Sequence, residues 1–518
     1  MKDGVPAEER LVDLLVVGGG INGVGIARDA AGRGLSVTLV ERGDLASATS
    51  SASTKLIHGG LRYLEYYEFR LVREALSERE VLLASAPHII WPLRFVLPHE
   101  KSLRPAWMIR LGLFLYDHLG GRKRLPASRR VNLTQPPYAA GLKPGFEIGF
   151  EYSDCWVNDA RLVALNAVDA QEHGAEIFTR RACLSARRQG ATWIAELQNG
   201  AGRREQVRAR ALVNATGPWA GEFLAQELGR ERPPRLRLVK GSHIVVGRLF
   251  PGDHAFILQN ADRRIVFAIP YEEHFTLIGT TDLPYSGDPA EARISIEETQ
   301  YLCDVVSRHF ARAISPSDVV WSYSGVRPLF DEDGSESASE VSRDYVLDLE
   351  HESGVAPLLN VFGGKITTYR RLAEHAMQKL QPFFPGLNGA WTAGAKLPGG
   401  DMPNGDFEAF VADQARRLGW MPAATVRRLS RAYGTRIDRV LKGATSIGDL
   451  GANFGGDLYE REVAYLMEQE WAENADDILW RRSKLGLHVA PRARVALEDF
   501  LASSRGQSRR AAAGGQVS

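Results

Sequence analysis

A glycine pattern constrains this chain most: Gly18-x-Gly20-x-x-Gly23, set between an apolar run and a helical one. Leu14, Leu15, Val16 and Val17 read as a short strand buried in a parallel sheet. Residues 21–31 read as a helix, with Gly32 and Gly34 as terminators. Gly18 permits a tight turn, Gly20 lets backbone approach a pyrophosphate, and Gly23 lets helix and strand pack closely. The phosphates then lie at a helix N-terminus, where free N–H groups and the helix dipole favour anions. A second strand over 36–40 ends at Glu41, positioned to accept from ribose hydroxyls and to repel a 2′-phosphate. Residues 16–41 therefore read as a dinucleotide grip, which by itself does not separate NAD from FAD.

The chain's 518 residues exceed what one core accommodates, so two to four domains are expected. A formal net charge of +1 argues against a general electrostatic nucleic-acid binder. Cys155, Cys183 and Cys303 are odd in number and far apart, with no CxxC pair. That speaks against a disulfide framework or a zinc site and fits a reducing compartment; no metal is expected. The charged start, 1–10, does not read as a secretory signal. No apolar run approaches the roughly 20 residues of a membrane span, so membrane contact would be peripheral.

Further along, 71–84 and 367–380 read as helices and 176–197 and 211–216 as short strands. Closely spaced β-like stretches at 243–246, 255–258, 265–269 and 275–278 suggest an antiparallel sheet inserted between pieces of an α/β domain. Residues 331–342 read as an acidic, serine-rich surface loop. Residues 407–501 are almost wholly helical in pattern and read as a separate domain, followed by a small, polar, disordered tail.

Two segments suit a flavin. Residues 49–54 are small and mostly hydroxylated and lead into Lys55-Leu56-Ile57-His58-Gly59-Gly60-Leu61-Arg62-Tyr63, fitting a flat ring close to backbone. Phe362-Gly363-Gly364-Lys365-Ile366-Thr367-Thr368 precedes a helix that Thr367 or Thr368 is expected to cap. Such a helix start would stabilise negative charge on a reduced flavin. It is not a phosphate P-loop, because Leu359 holds the upstream glycine position and Ile366 follows the lysine. Residues 104–125 hold an apolar aromatic stretch beside Arg122-Lys123-Arg124. That suits a lipid surface, but a helix buried in the substrate domain is the preferred reading.

Taken together, Gly18–Gly23 (GGGING), 49–65 (TSSASTKLIHGGLRYLE), 149–156 (GFEYSDCW), 214–219 (NATGPW), 240–246 (KGSHIVV), 324–328 (SGVRP) and 362–365 (FGGK) resemble the FAD-dependent aerobic glycerol-3-phosphate dehydrogenases of bacteria. The resemblance runs from about Leu11 to about Ala502. It implies oxidation of sn-glycerol 3-phosphate at C2 to dihydroxyacetone phosphate, hydride transfer to FAD and electron transfer to a membrane quinone. It also implies an amino-acid-oxidase-like two-domain flavoprotein, α/β plus β, with a C-terminal all-α domain. The expected divisions are 1–85, 160–235 and 325–388 for the Rossmann-like FAD domain, and 86–159 and 236–324 for the inserted antiparallel-sheet substrate domain. The helical domain is expected over 389–503, and the tail over 504–518. Expected FAD contacts are Gly18, Gly20, Asn22, Gly23, Glu41, Ser51, Ser53, Lys55, Leu56, His58, Gly217, Gly364, Lys365, Ile366 and Thr367, with non-covalent attachment.

A phosphate monoester carries about −1.5 to −2 charge and calls for cationic donors, best met by arginine. Arg62 and Arg327 are the candidates, with Tyr63 and Thr280 as further substrate contacts. His243 and His58 are candidates for the base, His58 being better suited to supporting the ring. Arg327 and Lys365 are further candidates for the chemistry, Lys365 by stabilising the reduced ring or a developing oxyanion. The chain is expected as a homodimer, peripheral on the cytoplasmic face of the inner membrane. An oxygen-reducing flavin oxidase and a non-catalytic nucleotide-binding regulator remain as alternatives.

Overall fold

The computed structural model describes residues 11–100, 105–232, 234–262, 264–330 and 344–514. The charged start 1–10 and the acidic loop 331–342 lie outside them. The chain runs β1 (Leu11–Val17), α1 (Ile21–Gly32), β2 (Val37–Val40), β3 (Leu56–Ile57), α2 (Phe69–Ser85), β4 (Ile90–Pro98), α3 (Ala106–Leu119), β5 (Arg129–Asn132) and β6 (Ile148–Val157). Next come α4 (Asp159–Glu172), β7 (Glu176–Phe178), β8 (Arg181–Gln189), β9 (Thr192–Asn199), β10 (Arg204–Asn214) and α5 (Ala220–Gln226). Then follow β11 (Leu236–Gly247), β12 (Ala255–Gln259), β13 (Ile265–Tyr271), β14 (Phe275–Gly279), β15 (Leu283–Pro284), α6 (Ile296–His309), β16 (Val319–Phe330), β17 (Val346–Glu350), β18 (Leu358–Phe362) and α7 (Tyr369–Leu380). The remaining helices are α8 (Phe407–Arg417), α9 (Ala423–Tyr433), α10 (Ile437–Leu441), α11 (Glu460–Glu470) and α12 (Pro491–Gly514).

Two compact units result: Met1–Ala84 with Ile90–Ala395, and Ser85–Ile89 with Lys396–Ser518. The first unit carries two sheets. One has the order β17-β18-β10-β1-β2-β7, with β8 and β9 continuing from β10. Its strands β18, β10, β1, β2 and β7 are parallel, and the burial of Leu14, Leu15 and Val16 follows from α1 packing on β1 and β2 and from a core that β1 shares with β8, β9 and α5. Helix α1 packs on α4 and α7, and Gly25 lets Tyr369 come close, since a Cβ there would lie 2.8 Å from the ring.

The second sheet has the order β15-β11-β14-β13-β12-β4-β6-β3, with β16 on β11 and β5 on β6. It is antiparallel as expected, except that β12 and β4 run parallel. The two strands come from separate insertions into the α/β unit, so no hairpin fixes their direction. β3 also joins this sheet, so the flavin-loop candidate 49–63 contributes a strand to it.

In the second unit α8–α12 surround a core that includes Val426, Leu429, Tyr433, Val463 and Leu466. Arg428 reaches both carboxylate oxygens of buried Glu462, which also accepts from Tyr433 Oη. Helix α12 continues to Gly514, so the irregular tail expected from 504 is helical through that point; the Arg/Ala-rich run there has high helix propensity. Residues 515–518 are outside the described set.

Candidate active site

At the β1–α1 turn Gly18 has φ +116°, and a Cβ on it would lie 2.4 Å from Ala215 O. A Cβ on Gly23 would lie 1.9 Å from Gly18 O, so helix and strand approach only because both are glycine. Gly20, the residue before α1, borders only the Ser50 hydroxyl, which leaves its backbone open to a ligand. Glu41 accepts N–H bonds from Gly19 and Gly43, both at 2.7 Å. Burial pushes its carboxyl upward, against the lowering effect of those two bonds. Asn22 Nδ2 donates to Gly363 O at 3.0 Å and ties the grip to the Gly-Gly-Lys segment. Its Oδ1 is buried without a partner among the described residues. Gly217, at φ +59°, faces open space. An orphaned acceptor, an open helix start and an acid at the ribose position fit a dinucleotide.

A second group gathers at the flavin-loop end. His58 Nδ1 accepts from Gly60 N–H at 3.1 Å, and His58 N–H donates to Thr367 Oγ1 at 3.3 Å. Desolvation lowers the pKa of His58, opposed by Asp154 and assisted by Lys365 and Arg79. Lys365 Nζ lies 4.1 Å from the Tyr63 ring centroid. Arg62 sits one residue before Tyr63, its guanidinium 3.5 Å from Tyr66 Oη. Ile366 is half-buried, and Gly364 (φ +96°) passes close to Asn22. Thr367 or Thr368 was expected to cap α7; the Thr367 hydroxyl instead accepts from His58 N–H, and the Thr368 side chain forms no cap bond.

A third group lies on the second sheet. The register sets His243 opposite Gly279 on β14 and Tyr323 on β16. A Cβ on Gly279 would sit 2.1 Å from His243 Cδ2, so the imidazole packs directly over this glycine. Two residues along the strand, a Cβ on Gly241 would lie 2.7 Å from Thr280 Oγ1 and 3.6 Å from Arg327. Alternation puts Gly241 and His243 on one face, so His243, Thr280 and Arg327 converge there. Arg327 is half exposed and pairs with Asp282 at 3.2 Å. Burial, then Lys55 and Arg327, lower the His243 pKa to about 3 despite Asp159, so the ring is neutral at physiological pH. Its Nε2 is 2.9 Å from Thr54 Oγ1, and its Nδ1 is buried without a partner among the described residues.

Several cofactor candidates have other side-chain partners. Lys55 Nζ is fully buried, 2.8 and 3.0 Å from the Asp159 oxygens. Ser53 Oγ donates to Asp159, and Ser51 Oγ to Ala48 O. Leu56 is a strand residue opposite Trp156. Thr54, Asp159, Asp282 and Tyr323 belong to the site and were not singled out from the sequence; their signal is contact between segments 45 to 270 residues apart.

Helix α3 overturns the preferred sequence reading of a buried helix. Leu113 and Tyr116 face inward, but Trp107 (66%), Met108 (46%), Leu111 (51%) and Phe114 (54%) are exposed along one stripe. Tyr116 Oη accepts from Gly59 N–H at 2.8 Å, so α3 is anchored to the flavin loop. No described helix is long and apolar enough to cross a membrane, and no metal-ligating cluster occurs among the described residues. The three cysteines are buried and free.

Comparison with known proteins decides the family. The model of the FAD dependent oxidoreductases matches residues 13–370. This chain belongs to that family. Residues 390–504 match the C-terminal domain of alpha-glycerophosphate oxidase. The flavoprotein is 58% identical over 491 residues to the glycerol-3-phosphate dehydrogenase of Pseudomonas aeruginosa, covering 95% of each chain. It is 53% identical over 495 residues to the D-erythritol 1-phosphate dehydrogenase of Brucella abortus, covering 95% of this chain and 98% of the relative. The glycerol-3-phosphate dehydrogenase of Bacillus halodurans, solved with FAD, superposes with a TM-score of 0.72 at 28% identity, over 92% of this chain and 86% of that one. The cofactor of this oxidoreductase is FAD, and its fold is the Rossmann-like two-domain flavoprotein with a helical C-terminal domain.

Proposed function

We propose that this flavoprotein oxidises sn-glycerol 3-phosphate at C2 to dihydroxyacetone phosphate and delivers the electrons to a membrane quinone. The observation that carries the reading is the convergence of a neutral His243, its Nδ1 without a partner among the described residues, beside Thr280 and Arg327. Gly18, Gly20, Asn22, Gly23, Glu41, Gly217 and Gly364 hold FAD, which supplies the two-electron acceptor for the C2 hydride. Arg327 exchanges Asp282 for the substrate phosphate, with Arg62 as the second cation and Thr280 as a hydrogen-bond partner. His243 Nδ1 takes the C2 hydroxyl proton as the hydride leaves, so the alcohol loses two electrons and two hydrogens and becomes a ketone. Tyr63 serves as a further substrate contact, and Lys365, 4.1 Å from its ring centroid, offsets negative charge on the reduced ring or a developing oxyanion.

The exposed α3 stripe and the neighbouring Arg122, Lys123 and Arg124 support peripheral attachment to an anionic lipid surface, on the cytoplasmic face of the inner membrane. The same reading includes a homodimer, checked by light scattering against the 57.1 kDa chain mass.

The test is anaerobic stopped-flow mixing of the FAD-loaded protein with glycerol 3-phosphate, erythritol 1-phosphate, glycerol or amino acids. Bleaching of the flavin by glycerol 3-phosphate and not by glycerol or amino acids is expected. Faster bleaching by erythritol 1-phosphate reassigns the substrate. Hydrogen peroxide release with no rate gain from quinone replaces the dehydrogenase with an oxidase. Arg327→Ala removes charged hydrogen bonds worth about 1.5–3 kcal/mol each, so half-saturation should rise roughly 10–100-fold with flavin retained. Unchanged half-saturation refutes the phosphate assignment.

A further inference from the structure

We propose that Thr54 is a positioning residue that holds His243 in the tautomer needed to accept a proton at Nδ1. The inference rests on the reading of His243 as the base. A neutral imidazole carries one N–H and one lone pair, so its two tautomers present opposite chemistry to the same neighbour. Here the two nitrogens have unequal surroundings: Nε2 lies 2.9 Å from Thr54 Oγ1, and Nδ1 is buried with no partner among the described residues. When Nε2–H donates to the Thr54 oxygen, Nδ1 presents its lone pair to a substrate hydroxyl. In the other tautomer Nδ1–H is a buried donor with no acceptor and is unable to take the proton.

The ring has little freedom to escape this choice. Tyr323 stacks on it at 4.8 Å and 14°, and Gly279 approaches its Cδ2 side. Tyr323 is itself fixed by its hydroxyl, which donates to Ser53 O at 2.8 Å. Ser53 and Thr54 are consecutive, so one loop aligns both the histidine and the aromatic ring covering it. The charges acting on His243 are Lys55 on the same loop, Asp159 on α4 and Arg327 on β16. Lys55 is matched by Asp159 and Arg327 by Asp282, which leaves the Thr54 hydroxyl as the direct partner of Nε2.

The experiment compares Thr54→Val, Thr54→Ala, Thr54→Ser, His243→Gln and the double variant Thr54→Val/His243→Gln as FAD-loaded proteins. Single-turnover flavin reduction by glycerol 3-phosphate is measured anaerobically, with flavin content read from visible absorbance. Thr54→Val and Thr54→Ala should slow reduction about 10–100-fold at saturating substrate, with half-saturation within about twofold. Thr54→Ser, which keeps the acceptor, should stay within about threefold of the parent. Adding Thr54→Val to His243→Gln should cost nothing more. If His243→Gln slows reduction and neither Thr54→Val nor Thr54→Ala does, the positioning role is refuted while the base stands. If His243→Gln reduces at the parent rate, the base reading fails and the inference with it. A loss that multiplies with His243→Gln, or loss of flavin in all three Thr54 variants, marks Thr54 as structural and overturns the proposal.

Discussion

Lys55→Met should be among the most destabilising single changes in the flavin-bearing unit. Lys55 and Asp159 are both wholly inaccessible, and the ammonium contacts both carboxylate oxygens, at 2.8 and 3.0 Å. Asp159 otherwise accepts from Ser53 Oγ at 2.8 Å and Ala160 N–H at 2.9 Å. Removal of the lysine strips the buried Asp159 carboxylate of its ammonium partner, a change that costs about 3–5 kcal/mol. Asp159→Asn should cost a similar amount, since the buried Lys55 ammonium then loses its carboxylate while Ser51 O at 3.0 Å and the Tyr323 ring at 4.9 Å are neutral. The pair is a costly arrangement in its own right, so Lys55→Met/Asp159→Leu should be less destabilised than either single variant. Urea unfolding of the FAD-loaded proteins, followed by flavin release and far-ultraviolet circular dichroism, measures all three variants against the parent. Single costs below about 1 kcal/mol, or a double cost equal to their sum, would refute the reasoning.

Glu41→Ala strands the Gly19 and Gly43 N–H groups at about 1–3 kcal/mol each, and FAD titration of the apoprotein should show at least a tenfold loss of affinity. Burial would raise the Glu151 pKa, but bonds from Arg94, Tyr138 and Arg129 outweigh it and hold it at about 2, below the usual 4.5. The resulting stability is fully present above pH 4.5 and lost as pH falls toward 2, so Glu151→Gln should flatten the fall of melting temperature across that range. Trp107→Ser/Phe114→Ser removes two exposed aromatics worth about 1.5–3 kcal/mol each if buried in lipid; sedimentation with anionic vesicles should fall at least tenfold, with flavin reduction unchanged.

The dinucleotide grip was legible because its information is local. Strand period, glycine spacing and Glu41 all fall within 16–41, and β1, α1 and β2 follow with shifts of one to three residues. The catalytic face was legible only in part. His243, Thr280 and Arg327 came from a family resemblance and a charge argument, and the β11–β14–β16 register sets them on one face. Thr54, Asp159 and Tyr323 escaped because their roles depend on side chains that meet across 104 to 270 positions. The hydroxyl-rich loop was read as a ring cradle, yet Ser53 and Lys55 turn toward Asp159. Helix α3 was ambiguous for a different reason: an all-round apolar sequence does not say which stripe the fold leaves uncovered.

The electrostatics of the site tie substrate choice to proton transfer on the proposed reading. In the free protein, burial and two nearby cations hold His243 neutral; one cation, Arg327, pairs with half-exposed Asp282. A bound phosphate brings about −1.5 to −2 charge to Arg327 and displaces a single carboxylate, so it lowers the net positive charge that His243 experiences. The proton affinity of the ring then rises in the complex that must deprotonate the C2 hydroxyl. Glycerol reaches the same alcohol chemistry without supplying that charge, and so finds the base in its least basic state. Discrimination against the unphosphorylated alcohol therefore extends beyond binding into the reduction rate at saturation, which weak occupancy alone would leave unchanged.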